Sequence, residues 1–412
     1  MTIRISTHAL FEAGTTQLNS LQSQMAKTQM QLSTNKRILT AADDPIASAH
    51  ALEVTQSQSM NTQFTTNRSN ARSSLSLVDN TLQDVSSQIQ DIQTLIVNAG
   101  NGTYAQSDRE ALATELEGRM GDLLGLANTA DGTGGYLFGG YKSTTQPFSQ
   151  VPGGAKYDGD QGQRSLQVGS ARKMPVSESG SAIFDAISTG NGSFVTAQDP
   201  ANKGAGIIGP GSVSDRQKLT NDNYTIKFNV TPAGPGVPAV STYTIVDTTN
   251  PANTLPANVP YTPGAAINFD GMSFDMKGSP ADQDVFTVAP SKKQSVFTTI
   301  TDLVKTLRTP ADGSTGKAKL ANGLSMASAN MKNALDNVLT VQASVGARLK
   351  ELDNLDSTGE DLNIQYASTL SDLQDLDVVK AISLFSQQQT TLQAAQMSFK
   401  TMSGLSLFNY IS

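Results

Sequence analysis

"FTTNRSNARSSLSLVDNTLQDVSSQIQDIQTLI", residues 64–96, sets apolar side chains mostly at alternating steps of three and four. They are Phe64, Ala71, Leu75, Val78, Leu82, Val85, Ile89, Ile92 and Ile96. That spacing lines up one face of a helix as the a/d seam of a coiled coil, and the intervening Asn, Ser, Gln, Asp and Thr predict a wet opposite face. A helix with one narrow apolar stripe does not stand alone in water. Something else in the chain, or another copy of it, has to cover the seam.

Outward from this stretch, "NAGNGTYAQS" (98–107) reads as a Gly/Asn loop. Ser107 with Glu110 three residues on predicts a capping box, and Leu112, Leu116, Met120, Leu123 and Ala127 form the face of the helix that follows. "DGTGGYLFGG" (131–140) is too rich in glycine to continue it. The last third mirrors this arrangement. Leu324, Met331, Leu335, Val338, Val345, Leu349 and Leu352 occupy a heptad seam, with Ser328 and Gln342 at two of its positions. Beyond Gly359 a further helix is expected on Leu370, Leu373, Leu376, Phe385, Leu392, Phe399 and Met402.

Between the two arms the texture changes to Gly, Pro, Thr and Asn. Alternating runs in "YTIKFNV" (224–230), "STYTIV" (241–246), "INFDGMSFDM" (267–276) and "DVFTVAP" (284–290) predict short antiparallel strands. Asp270-Gly271 is a hairpin signal. The expected fold is α+β, mainly α: an elongated antiparallel helical rod, coiled-coil-like, formed by both chain ends, with a β-rich inserted domain. The boundaries that follow are 1–40 plus 375–412 for terminal helices, 41–140 plus 291–374 for the rod, and 141–290 for the insertion.

Composition narrows the chemistry. The 412 residues are 37% hydrophobic and 6% aromatic, with no tryptophan, which is thin for a compact enzyme. A net charge of -7 leaves no footprint for nucleic acid. No run of roughly 18 apolar residues predicts membrane insertion, and no classical secretory signal is visible at the start. The absence of cysteine excludes disulfides and thiolate sites. His8 and His50 read as surface residues, so no metal and no cofactor is expected. "GAGIIG" (204–209) matches a dinucleotide-binding pattern, but neither a strand before it nor a helix after it is expected, so it reads as loop. In "LSTNKRILTAADDP" (32–45), Asp43-Asp44-Pro45 reads as a helix start rather than an acid/base pair. Nothing amounts to a catalytic site.

The ends are unusual. Residues 381–412 hold one charge, Lys400, and residues 5–35 share the same Gln, Ser and Thr texture. Their apolar positions are Ile3, Ile5, Leu10, Leu18, Leu21, Met25 and Leu32 on one side and Phe385, Leu392, Phe399, Met402, Leu405, Leu407 and Phe408 on the other. Pattern alone fits two helices that close the rod and fits helices that polymerise, since like charges repel where many copies pack closely.

"QLSTNKRILTAADDPIASAHAL" (31–52) resembles the N-terminal signature of the flagellin superfamily. "MTIRIST" (1–7), "GGYLFGGYKSTTQPF" (134–148), "VGARLKELDN" (345–354) and "LQAAQMSFKTMSGLSLFNYI" (392–411) resemble the members of that superfamily found where hook meets filament. Ser406-Leu407-Phe408-Asn409-Tyr410 departs from the leucine-rich ending usual in flagellin itself. The resemblance implies an extracellular structural adaptor of the bacterial flagellum. The partners it implies are a hook-side junction protein (hook-associated protein 1), flagellin and copies of itself in a ring. It also implies type III export without a cleaved signal, aided by a cytosolic chaperone. The alternatives are a filament subunit, or a surface protein whose β insertion carries an activity.

Overall fold

The computed structural model describes residues 7–232 and 240–404. The fold is α+β and mainly α. Helices α1 (Thr7–Thr34), α2 (Pro45–Ala99) and α3 (Gln106–Ala127) precede a β-rich insertion; α4 (Val296–Arg308), α5 (Gly313–Gln374) and α6 (Val378–Gly404) follow it. The chain divides into two compact units, one drawn from the described parts of 1–66 and 354–412, the other from 67–353.

In the larger unit Leu75, Val78, Leu82, Val85, Ile89 and Ile92 of α2 are all buried, each at most 1% exposed. On α5, Leu324, Met331, Val338, Val345 and Leu352 are buried, while Leu335 and Leu349 are only half-buried. Ala327 and Ala334 take the inward positions beside them and Ser328 is exposed. The buried line on α5 thus runs one residue to the side of a strict heptad, which small alanines permit because they let a neighbouring backbone come closer.

The insertion contains a five-stranded antiparallel sheet in the spatial order 259–260, 240–247, 224–231, 285–290, 194–198. The strands Ala266–Phe269 and Met272–Lys277 form a hairpin in which Phe269 faces Met272. Asp270 (φ 42°) and Gly271 (φ 74°) are both left-handed, as a type I′ turn requires. Tyr224, Phe228, Phe274, Phe286 and Val288 fill the core between these layers. A second aromatic cluster, Phe138, Phe148, Phe184 and Phe297, packs with ring centroids 5.3–5.8 Å apart and anchors the base of the insertion against α4.

Three local expectations need correction. The helix after the loop starts at Gln106, and Asp108 rather than Glu110 supplies the cap, its carboxylate accepting from the Ala105 N–H at 2.9 Å. Helix α5 does not stop at Gly359; it runs on to Gln374, and the break falls at residues 375–377. "GAGIIG" is not wholly loop, because Ile207–Ile208 pairs with Met276 and Lys277.

Candidate assembly interface

Within the smaller unit α1 and α6 lie side by side and antiparallel. Phe11 packs against Phe399 with centroids 5.1 Å apart and ring planes tilted by 45°, while at the other end the backbones of Lys36 and Asp375 form an antiparallel β-bridge. Leu18, Leu21, Met25 and Leu32 of α1 and Phe385 and Phe399 of α6 are half-buried along this pair, and Leu392 is buried. Leu10 and Met402 are exposed. Ile3, Ile5, Leu405, Leu407 and Phe408 lie outside the described residues.

The opening of α2 explains the paired aspartates. Asn35 adopts φ 55° and the Lys36 N–H returns to the Gln31 carbonyl at 3.2 Å, the left-handed stop of a Schellman-type helix end. Asp43 then accepts from the N–H groups of Leu39 and Thr40, both at 2.9 Å, and pairs with Lys27 at 2.6 Å. Asp44 caps α2 by accepting from the Ala47 N–H at 3.0 Å and pairs with Arg37 at 3.2 Å. Lys27, followed by the Thr40 and Leu39 amides, pulls the Asp43 carboxyl well below the usual range; the Ala47 amide and then Arg37 lower Asp44.

This joint also grips the break between α5 and α6. The Arg37 N–H donates to the Gln374 carbonyl at 2.7 Å, its guanidinium to the Leu373 carbonyl at 2.7 Å, and the Leu376 N–H to the Asn35 carbonyl at 3.2 Å. Both chain arms therefore interrupt their helices at one level and satisfy each other's free backbone groups there. No sequence signal links Arg37 to residues more than 330 positions away.

A second set of contacts invisible to pattern reading lies on α5 in the larger unit. Asn322 donates to Gly206 O and accepts from the Ile208 N–H; Asn330 accepts from the Gly190 N–H. Asn333 donates to Ser188 O and Gly190 O, and Asn337 to Ala182 O and Ile183 O, all between 2.7 and 2.9 Å. These asparagines recur on one helix face although Asn is a poor helix former, and that mismatch is the one clue the sequence carries. Arg348 adds an ion pair to the buried Glu178 at 2.6 Å.

Among the described residues no group of three or more His, Asp or Glu side chains is placed to hold a metal ion, and no helix is long and apolar enough to cross a membrane. His8 is not isolated: it faces Glu12 one turn on, at 3.6 Å.

Residues 5–143 match the family described as the bacterial flagellin N-terminal helical region. Flagellar hook-associated protein 3 of Escherichia coli K12 is 30% identical over 407 residues, covering 98% of this chain and 99% of that one. The protein of the same name from Salmonella typhimurium LT2 is matched over the same shares at the same identity. The crystal structure of hook-associated protein 3 from Legionella pneumophila superposes with a TM-score of 0.72 at 30% identity, over 78% of this chain and 98% of that one. FlgL from Xanthomonas campestris gives a TM-score of 0.69 at 30% identity, over 77% and 99%. With near-complete coverage in both directions and the same architecture, the chain belongs to the flagellar hook-associated protein 3 (FlgL) family.

Proposed function

We propose that this protein is a structural adaptor at the hook–filament junction, joining a hook-side junction protein to flagellin by co-assembly of its terminal helices with those of neighbouring subunits. One observation carries the reading: the smaller unit has almost no core of its own. Its buried apolar residues, among those described, are Ala47, Ala51, Ala381 and Leu392. By contrast Ile46 is 84%, Val379 81%, Ile364 70% and Leu52 69% exposed. So many exposed apolar side chains beside so small a core support a unit that other chains complete.

The near absence of charge over residues 381–404 suits a position where identical helices pack closely, since repeated like charges would repel. The same exposed face on α6 suits a cytosolic chaperone that shields it before export, and an extracellular location follows from the assembly. The role is that of a scaffold in a ring of identical copies, without a catalytic step.

Labelling the protein in isolated flagella tests the reading. Signal confined to the hook–filament boundary is expected, and signal along the filament would make it a filament subunit instead. A chain ending at Ser383 is expected to stay soluble and helical yet fail to support filament attachment; normal attachment would remove α6 from the interface.

A further inference from the structure

A cleft of about 420 Å³ opens in the larger unit between the strand Phe194–Gln198, the end of α4 and the first turns of α5. That volume lies in the roughly 300–1,000 Å³ range of small-molecule sites. Val195, Ile208, Pro210, Leu320 and Met326 give it an apolar lining. Lys305, in the last turn of α4, and Lys319, on α5, supply its charge. No Asp or Glu lines it, although the chain carries 36 acidic residues against 29 basic ones.

The walls are held in place. Asn322 donates to the Gln198 Oε1 at 2.7 Å and bonds both Gly206 and Ile208, tying strand to helix. Lys319 Nζ donates to the Pro200 carbonyl at 2.6 Å and Thr315 Oγ1 to the Lys203 carbonyl at 2.7 Å, fastening the loop at the rim to α5. At Gly323 a Cβ would come within 2.5 Å of Thr306 Cγ2, so glycine sets the close approach of α4 and α5 behind the cleft. The first turn of α5 contributes Gly316, near the positive end of the helix dipole. An ammonium has three protons; Lys319 spends one on Pro200 and keeps two for a ligand.

We propose that this cleft binds a small amphipathic anion: a molecule whose apolar ring or chain lies against Ile208 and Met326 while its carboxylate or sulfonate meets Lys305 and Lys319. Neither half of that description is optional. An uncharged apolar ligand leaves Lys319 with only the Pro200 carbonyl and Lys305 with only the Asp302 carboxylate on its own helix, and a bare inorganic anion leaves the apolar lining uncovered.

Fluorine NMR on the full chain, with 4-(trifluoromethyl)benzoate and its uncharged analogue 4-(trifluoromethyl)benzamide as probes, tests this. The benzoate is expected to bind saturably and the amide roughly tenfold more weakly, about the low end of the worth of one charge-assisted hydrogen bond. Lys305→Gln is expected to weaken the benzoate several-fold and leave the amide unchanged. Ala329→Trp, or Ser325→Trp if the first variant does not fold, places an indole in the cleft and is expected to abolish binding of both. Equal binding of the two probes, no saturable binding at millimolar concentration, or full binding to a folded tryptophan variant would overturn the proposal.

Discussion

Gly14 of α1 sits directly beneath the ring of Phe399 on α6: a Cβ added there would stand 2.7 Å from the Phe399 Cδ2. The contact brings two helices from opposite ends of the chain to close packing, and a side chain at this position would have to displace the Phe399 ring. Gly14→Ile is therefore expected to cost about 1–3 kcal/mol of local stability through overpacking, despite its better helix propensity. Hydrogen exchange across residues 385–399 should accelerate while thermal unfolding of the unit built from 67–353 stays unchanged. Unaltered protection of α6 would show that Phe399 moves aside without loss.

Val85 is fully buried in the α2 seam. Val85→Asp leaves a carboxylate there with no cation, and about 3–5 kcal/mol of destabilisation is expected from the uncompensated buried charge. Chemical denaturation followed by circular dichroism reads it directly. An unchanged midpoint would mean that the seam opens to solvent at this level.

Asn333 satisfies two backbone carbonyls of the insertion with one amide group. Asn333→Ala leaves them unpaired, at an expected cost of about 1–3 kcal/mol. The loosening should be local. Protease cutting near residues 186–192 is expected to quicken well before the core sheet, with Tyr224 and Phe286, is exposed. Cutting at the wild-type rate would assign the docking to the aromatic cluster at Phe148 and Phe297 alone.

Asp43 and Asp44 both titrate below the ordinary aspartate value in the folded joint. Because folding lowers these values, their contribution to stability is complete above about pH 4, the unperturbed range, and is lost as the pH falls below it. Carboxylate NMR titration should place both midpoints below the ordinary aspartate value, with Asp43 the lower. Asp43→Asn should remove the larger part of the acid dependence of the joint. Ordinary midpoints would mean that Lys27 and the Leu39 and Thr40 amides do not hold the carboxylate in solution.

The helical character of both arms was legible because burial on one face of a helix imposes a period, and residues 75–96 display that period without interruption. Asp270-Gly271 was legible for a similar reason, since a two-residue hairpin demands left-handed backbone at both positions. Gly359 was misread as a stop. A helix-interior glycine costs only about 1 kcal/mol relative to alanine, and the long run on both sides outweighs that. Its carbonyl also receives the Asn61 Nδ2 at 2.7 Å.

The sequence by itself determined the helical character of the arms, the strand-forming runs at 224–230, 241–246, 267–276 and 284–290, where α2 begins and that the chain ends carry an almost uncharged apolar stripe. These are consequences of local sterics and of periodic burial, which act within a few residues. Only the tertiary structure decided that Arg37 closes on Leu373 and Gln374, that the asparagines of α5 read the backbone of the insertion, and that Lys305 and Lys319 share one cleft. Those contacts join residues distant in sequence through single hydrogen bonds or shared space. Neither leaves a period or a spacing in the chain, because the energy of such a contact depends on where the backbone arrives rather than on what precedes it.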